Sequence, residues 1–173
     1  MPADDLRARI REIPDFPKPG ILFYDITTLL KDADAFKEAV SLMTEPFRDT
    51  KVDLVVGMES RGFIFSAPMA IDLGAGLVPV RKLGKLPAET VSVEYALEYG
   101  TNTLEIHKDA IQPGQRVLIV DDLLATGGTV VGTIELVGML KAEVVGLAFL
   151  VELLFLKGRD HLEGQNVHSV IQY

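Results

Sequence analysis

The chain of 173 residues has no cysteine and no tryptophan. Without thiols there can be no disulfide, no thiolate nucleophile and no cysteine-built zinc site, and a reducing compartment is the natural setting. Basic charge is also scarce. Lysine and arginine number 17 against 25 aspartates and glutamates, a formal net charge of −8. An extended basic face for nucleic acid is therefore not expected, and any anionic ligand must be held by local donors against an unfavourable overall field. Long apolar runs are missing too. No stretch approaches the roughly 18 residues that a membrane-spanning helix needs. The opening MPADDLRARIREI is charged where a signal peptide would be apolar. These absences predict a cytoplasmic protein with neither membrane nor nucleic-acid partners. What remains is ordinary: 48% hydrophobic and 24% charged residues, enough to bury one core, so residues 1–173 are expected to form one domain.

The apolar pattern predicts an α/β fold. Residues 4–12 are expected as a short helix capped by Asp4 or Asp5 and stopped by Pro14. The proline-rich DFPKPGILFYD is expected to be an irregular shaped loop. Phe36, Val40, Met43 and Phe47 recur at helical spacing over residues 35–47. DLVVGM reads as a buried strand, ESRGF as the turn after it, and a helix is expected to begin near Pro68. LVPV (77–80) is a short strand leading into the basic loop RKLGKLP. Residues 90–99, TVSVEYALEY, alternate apolar with polar, as a half-buried antiparallel strand does. LEIHKD would pair with it as a hairpin. Val130, Ile134, Val137 and Leu140 mark a further helix, VVGLAFLV (144–151) a buried strand, and SVIQY a last short one. Apolar strands alternating with helices imply a mainly parallel sheet, here with an inserted antiparallel hairpin.

The most informative stretch is VLIVDDLLATGGTV, residues 117–130. It delivers two carboxylates, Asp121 and Asp122, from the end of a buried strand to a threonine- and glycine-rich turn with no lysine. In a parallel sheet, ligands bind beyond the carboxyl ends of the strands. The N–H groups of a glycine-rich turn opening a helix attract anions, so Ala125, Thr126, Gly127, Gly128 and Thr129 could cradle a phosphate, with two hydroxyls assisting. Carboxylates beside a phosphate need neutral donors between them, and the 2′- and 3′-hydroxyls of a ribose supply a pair. A ribose 5-phosphate satisfies both halves. An acidic loop followed by an ordinary helix cap is the competing reading of the same residues.

Other motifs fail on their mechanics. No G-x-x-x-x-G-K-[ST] is present, which argues against a P-loop nucleotidase. GAGLVP lacks the third glycine of a dinucleotide fingerprint and runs into a strand. KDADAF lacks a calcium loop's glycine and final glutamate. His107, His161 and His168 have no ligand-like spacing, so no metal is expected on protein ligands alone.

Residues 117–129 resemble the phosphoribosyl-pyrophosphate motif of the type I phosphoribosyltransferases. DFPKPGILFYDITTLL, ESRGF, VPVRKLGKLP, LEYG and LEIHKDAIQPGQRVLIVDDLLATGGT, taken in order, resemble the adenine phosphoribosyltransferases from near residue 14 to the C-terminus. The resemblance implies one domain of that fold, with an N-terminal hood over residues 1–34 and a flexible lid over 82–107. It implies purine salvage: adenine and phosphoribosyl pyrophosphate become AMP and pyrophosphate, with Mg2+ carried mainly on the pyrophosphate oxygens, in a homodimer.

Carried onto this chain, residues 125–129 would hold the 5′-phosphate, and Asp121 and Asp122 would face the ribose hydroxyls. Arg61, Lys82 and Lys85 would supply positive charge to the pyrophosphate, and Arg81 would reach a neighbouring subunit's site. Glu98 would hydrogen-bond adenine N7 and assist proton transfer, with Tyr99 closing over the pyrophosphate. The backbone of Leu22 would read the purine edge, with Phe23 on one face of the base and Leu123 on the other. Tyr24 stands where many members carry arginine, which bears on base preference. The turn at Glu59–Ser60 often carries a strained peptide bond in this family. Transfer to xanthine, hypoxanthine or orotate on the same fold is one alternative. A non-catalytic phosphoribosyl pyrophosphate sensor is another, although such sensors usually add a basic DNA-binding segment.

Overall fold

In this computed structural model the described residues are 3–96 and 100–173. Seven strands form the main sheet: β3 (Leu54–Met58), β4 (Gly76–Lys82), β5 (Thr90–Ala96), β6 (Thr101–His107), β7 (Arg116–Leu124), β8 (Glu143–Glu152) and β9 (Val167–Gln172). Their order is β5-β6-β4-β3-β7-β8-β9. The five strands from β4 to β9 in that order are mutually parallel, while β6 runs antiparallel to both β4 and β5. This is the expected parallel α/β sheet with an antiparallel hairpin.

The central strands are apolar on both faces because both faces are covered. Within β7, Leu118 and Val120 join one core beneath α3 (Ala33–Thr44) and α4 (Gly62–Leu73). Val117 and Ile119 join a second core beneath α5 (Gly128–Met139), which also holds Val93 and Leu104 of the hairpin. The period of two along the strand thus sorts alternate side chains into two separate cores.

Chain direction across the sheet reverses between β3 and β7. From β3 the chain passes through α4 to β4 on one side, and β7 then lies on the other side of β3. Loops leaving neighbouring strands in opposite directions open a crevice at their carboxyl ends, where α/β proteins bind ligands. The loops in question begin at Glu59 and Ala125.

Several local expectations are corrected. The first helix, α1 (Ala3–Arg7), ends well before residue 12, and β1 (Arg11–Ile13) pairs antiparallel with β2 (Phe23–Asp25). Both strands of this small N-terminal sheet come from stretches expected to be helical or irregular. The pairing is pinned by a charge: Arg11 Nε donates to Asp25 Oδ2 at 3.1 Å. The Thr27 hydroxyl and backbone N–H donate to Asp25 Oδ1 at 2.7 and 2.9 Å. These donors, Thr27 foremost and then Arg11, lower the carboxyl to about 2.

After the single-turn helix α2 (Thr27–Leu30), helix α3 begins two residues early, because Asp32 accepts the Ala35 N–H at 3.1 Å as an N-cap. Its buried stripe is Ala35, Ala39 and Met43. Phe36 and Val40 lie to one side of it, only partly buried. Helix α4 starts at Gly62 and carries Pro68 in its interior. Proline leaves one helical carbonyl without its N–H partner, yet packing over the sheet sustains the helix through it. Arg81 and Lys82, expected in a loop, are the last residues of β4 and pair with Glu105 and Leu104.

Candidate active site

The glycine-rich turn closes as its sequence requires. Gly127 adopts φ +89°, a left-handed conformation that favours glycine, and serves as the N-cap of α5 without any side-chain cap. The helix's first backbone bond runs from Val131 N–H to the Gly127 carbonyl. Among the described residues, no backbone or side-chain acceptor meets the N–H groups of Thr126, Gly127, Gly128, Thr129 or Val130. A helix N-terminus with open donors is a ready anion site. A cavity of about 60 Å³ follows this turn, lined by Ala125, Thr126, Gly127, Gly128, Thr129, Met58 and Phe149 among others.

Beside it lies a wider cavity of about 330 Å³, lined by Glu59, Ser60, Arg61, Lys82, Asp121, Asp122, Leu123, Ala125 and Thr129. Of these, Glu59 and Ser60 are not among the expected binding residues; the peptide bond between them, where the resemblance implies a strained one, is cis. The cavity therefore unites two loops with the end of β4, whose residues are far apart in sequence but adjacent at the reversal in the sheet.

The two aspartates divide their tasks. Asp122 is buried at 5% exposure, and its Oδ2 receives Arg61 Nε at 2.6 Å. The Arg61 guanidinium also sits 5.9 Å from the Phe23 ring centroid, and Phe23 meets Phe16 edge-on at 5.1 Å. Arg61 thus spans from Asp122 to Phe23 of β2. Asp121 accepts the Asp122 N–H at 2.8 Å, and Gly62 packs closely against its carboxyl. Burial first, and the negative charge of Asp122 second, push the Asp121 carboxyl well above its ordinary range.

The sign of the consequence follows from linkage. A raised folded-state value means that stability present below the ordinary aspartate range is lost as pH rises through the raised value. Asp121→Asn is therefore expected to raise the melting temperature at about pH 8 and leave it nearly unchanged at about pH 4. The gain should be on the order of 1 kcal/mol, as for other unfavourable charges removed. Parallel melting curves at the two pH values check this; equal shifts at both would contradict it.

Arg81 does not line the cavity. Its guanidinium clasps Glu59, with Nη2 at 3.1 Å from Oε1, and Nη1 donates to the Lys85 carbonyl at 3.2 Å. Arg81 thereby holds the Glu59 carboxyl below the ordinary glutamate range, assisted by the Lys82 N–H. The Lys85 side chain likewise lies outside both cavities, while Lys82 lines the wider one. Leu123 lines both, and Leu22, just before β2, is exposed at 39%.

Tyr24, which stands where many members of the family carry arginine, packs away from the cavity. Adjacent residues of a strand face opposite ways, so the Tyr24 ring turns from Phe23 and stacks on Tyr173 at 4.0 Å. Its ring thereby ties β2 to the C-terminal residue Tyr173. Glu98 and Tyr99 lie outside the described residues.

One residue escaped the sequence reading altogether. Glu105 is 3% exposed, and its Oε1 accepts the N–H groups of Gly84, Lys85 and Leu86 at 3.1, 3.2 and 3.1 Å. Its carboxylate ties down the loop that follows Lys82. Nothing in LEIHKD signals this, since alternation with buried Leu104 and Ile106 would turn Glu105 outward.

Comparison with known proteins follows the same lines. The phosphoribosyl transferase domain family matches residues 26–169. An adenine phosphoribosyltransferase of Chloroflexus aurantiacus is 57% identical over 173 residues, covering 100% of both chains. The crystal structure of adenine phosphoribosyltransferase from Thermoanaerobacter pseudethanolicus superposes with a TM-score of 0.96 at 54% identity, covering 99% of each chain. That of the Saccharomyces cerevisiae enzyme, complexed with an imino-altritol bisphosphate and adenine, gives 0.92 at 41% identity over 97% of each. A match of this length and identity leaves no room for a merely shared fold: the chain belongs to the phosphoribosyltransferase family, among the adenine phosphoribosyltransferases.

Proposed function

We propose that the protein transfers the phosphoribosyl group of phosphoribosyl pyrophosphate to adenine, releasing AMP and pyrophosphate. The observation that carries the reading is the pair of adjoining cavities, sharing Asp121, Leu123, Ala125 and Thr129, that set open amides, paired aspartates and the cations Arg61 and Lys82 side by side at the reversal in the sheet. In this reading the amides and hydroxyls of residues 125–129 hold the 5′-phosphate, and Asp122 with Asp121 accepts from the ribose hydroxyls. Arg61 exchanges its bond to Asp122 for the pyrophosphate, whose negative charge grows as it leaves. Phe23 and Leu123 enclose the base, with the Leu22 backbone at its edge.

The bond from the sugar C1 to the pyrophosphate oxygen breaks with its electron pair on oxygen, and adenine N9 forms the new bond to C1 as its proton departs. Glu98 is assigned to manage protons on the base, and Tyr99 to cover the pyrophosphate. Positioning and stabilisation of the leaving anion account for most of the acceleration such a site can give.

Mg2+ belongs to the same proposal. Asp121 and Asp122 offer one acidic edge to the wider cavity, and a hard cation there would be held chiefly by substrate oxygens and water. When bound, it would neutralise pyrophosphate charge. We also propose a homodimer, for which exposed Ile64 and Ile71 of α4 and Leu77 of β4 provide apolar surface. A cytoplasmic setting goes with it, because a multiply charged sugar phosphate does not cross a bilayer unaided.

The test is AMP formation from adenine, hypoxanthine, xanthine and orotate in turn, with and without Mg2+. Adenine alone should support turnover, and only with the metal. Equal rates with another base would overturn the assignment.

A further inference from the structure

The phosphate turn does not stand on its own sequence. Beyond β8 the chain folds back beneath it: the Leu153 N–H donates to the Leu124 carbonyl at 3.0 Å, and Lys157 takes a left-handed φ of +53°. The next residue, Gly158, then lies against the turn, backbone to backbone. A methyl group on Gly158 would sit 2.2 Å from the Ala125 carbonyl oxygen and 3.1 Å from the Gly127 nitrogen. One on Gly127 would sit 2.8 Å from the Gly158 carbonyl oxygen. Non-bonded carbon and oxygen approach comfortably only to about 3.5 Å, so any side chain at Gly158 forces two backbones apart.

The segment cannot easily retreat, because Arg159 is moored. Its Nε and Nη2 reach the two oxygens of buried Glu152 at 2.8 and 2.5 Å, and its Nη1 donates to the Val167 carbonyl at 3.1 Å. Such a two-point carboxylate clasp fixes orientation as well as distance.

We propose that Gly158 and Arg159 are positioning residues for the phosphate site: Gly158 forms the floor that sets the aim of the open amides, and Arg159 anchors that floor to the sheet. The proposal rests on the reading of residues 125–129 as the 5′-phosphate site. It adds that the affinity of that site is set by a segment some thirty residues downstream that touches no substrate. Displacing preorganised donors by about 1 Å can cost on the order of 10²-fold, and a methyl group at Gly158 demands a shift of that size.

Ribose 5-phosphate and pyrophosphate serve as separate probes, each measured as an inhibitor against phosphoribosyl pyrophosphate, with melting temperature followed alongside. Gly158→Ala is expected to weaken ribose 5-phosphate at least tenfold and to change pyrophosphate less than threefold. Arg159→Lys keeps the charge but loses the clasp, and should weaken ribose 5-phosphate about threefold to tenfold with the same selectivity. Arg159 is partly exposed, so this variant decides the matter should Gly158→Ala fail to fold. Losses shared equally by both probes, or no loss with either variant, would overturn the floor. Thr126→Val and Thr129→Val test the underlying reading on their own. If both leave ribose 5-phosphate affinity unchanged, the phosphate site itself is misplaced. If they weaken it while Gly158→Ala and Arg159→Lys do not, only the floor is refuted.

Discussion

Asp122→Asn is expected to weaken phosphoribosyl pyrophosphate binding by about ten- to a hundredfold while leaving the fold intact. The carboxylate is buried and faces the cavity with Arg61 as its partner. In the complex it would exchange that partner for ribose hydroxyls. A hydrogen bond to a charged group is worth about 1.5–3 kcal/mol, which is the range quoted when converted to affinity. The amide also presents a donor where the sugar needs an acceptor. Stability should change little, since the Arg61 side chain is 46% exposed and water can solvate it once unpaired. Titration calorimetry gives the affinity and thermal melting the control. Unchanged affinity would count against the diol assignment.

Glu98→Gln should act on the other kinetic parameter. The residue is placed by resemblance as the group that manages protons on the purine, and general acid–base catalysis of this kind contributes about 10²–10⁴-fold. Glutamine keeps the shape and a hydrogen bond but cannot exchange the proton. Turnover should therefore fall by at least about 10²-fold, with the dissociation constant of phosphoribosyl pyrophosphate moving less than about threefold. Rapid-quench single-turnover rates with equilibrium binding separate the two. Small and equal changes in both would remove Glu98 from the chemistry.

The two variants address different parts of the proposed reaction, the sugar and the base, which is why their signatures should differ. In the proposed role Asp122 would act on the sugar in ground and transition state alike, and so chiefly on binding. Glu98, in the proposed role, would act only as the base gains its new bond.

Much of this arrangement is legible in the linear chain. The apolar strand of residues 117–120, the aspartates and the turn beginning at Ala125 announce themselves because strand, charge and glycine each have a local cause. The N-terminal sheet was not legible. Arg11 and Asp25 meet only after the proline-rich loop has folded back, and three-residue strands carry no readable period. Pro68 misled for a similar reason: its local penalty is outweighed by the burial of Phe65, Met69 and Ala70 on the same helix.

By itself, then, the order of residues determined the fold class, the place of the acidic pair at a strand end and the kinship from which adenine follows, since period, turn chemistry and motif are short-range properties. Only the tertiary structure decided which cations face the wider cavity, that Tyr24 turns to Tyr173, that Glu105 gathers three amides and that Gly158 lies against the glycine-rich turn. Those are contacts between distant segments, and a contact of that kind has no local cause for a linear pattern to record.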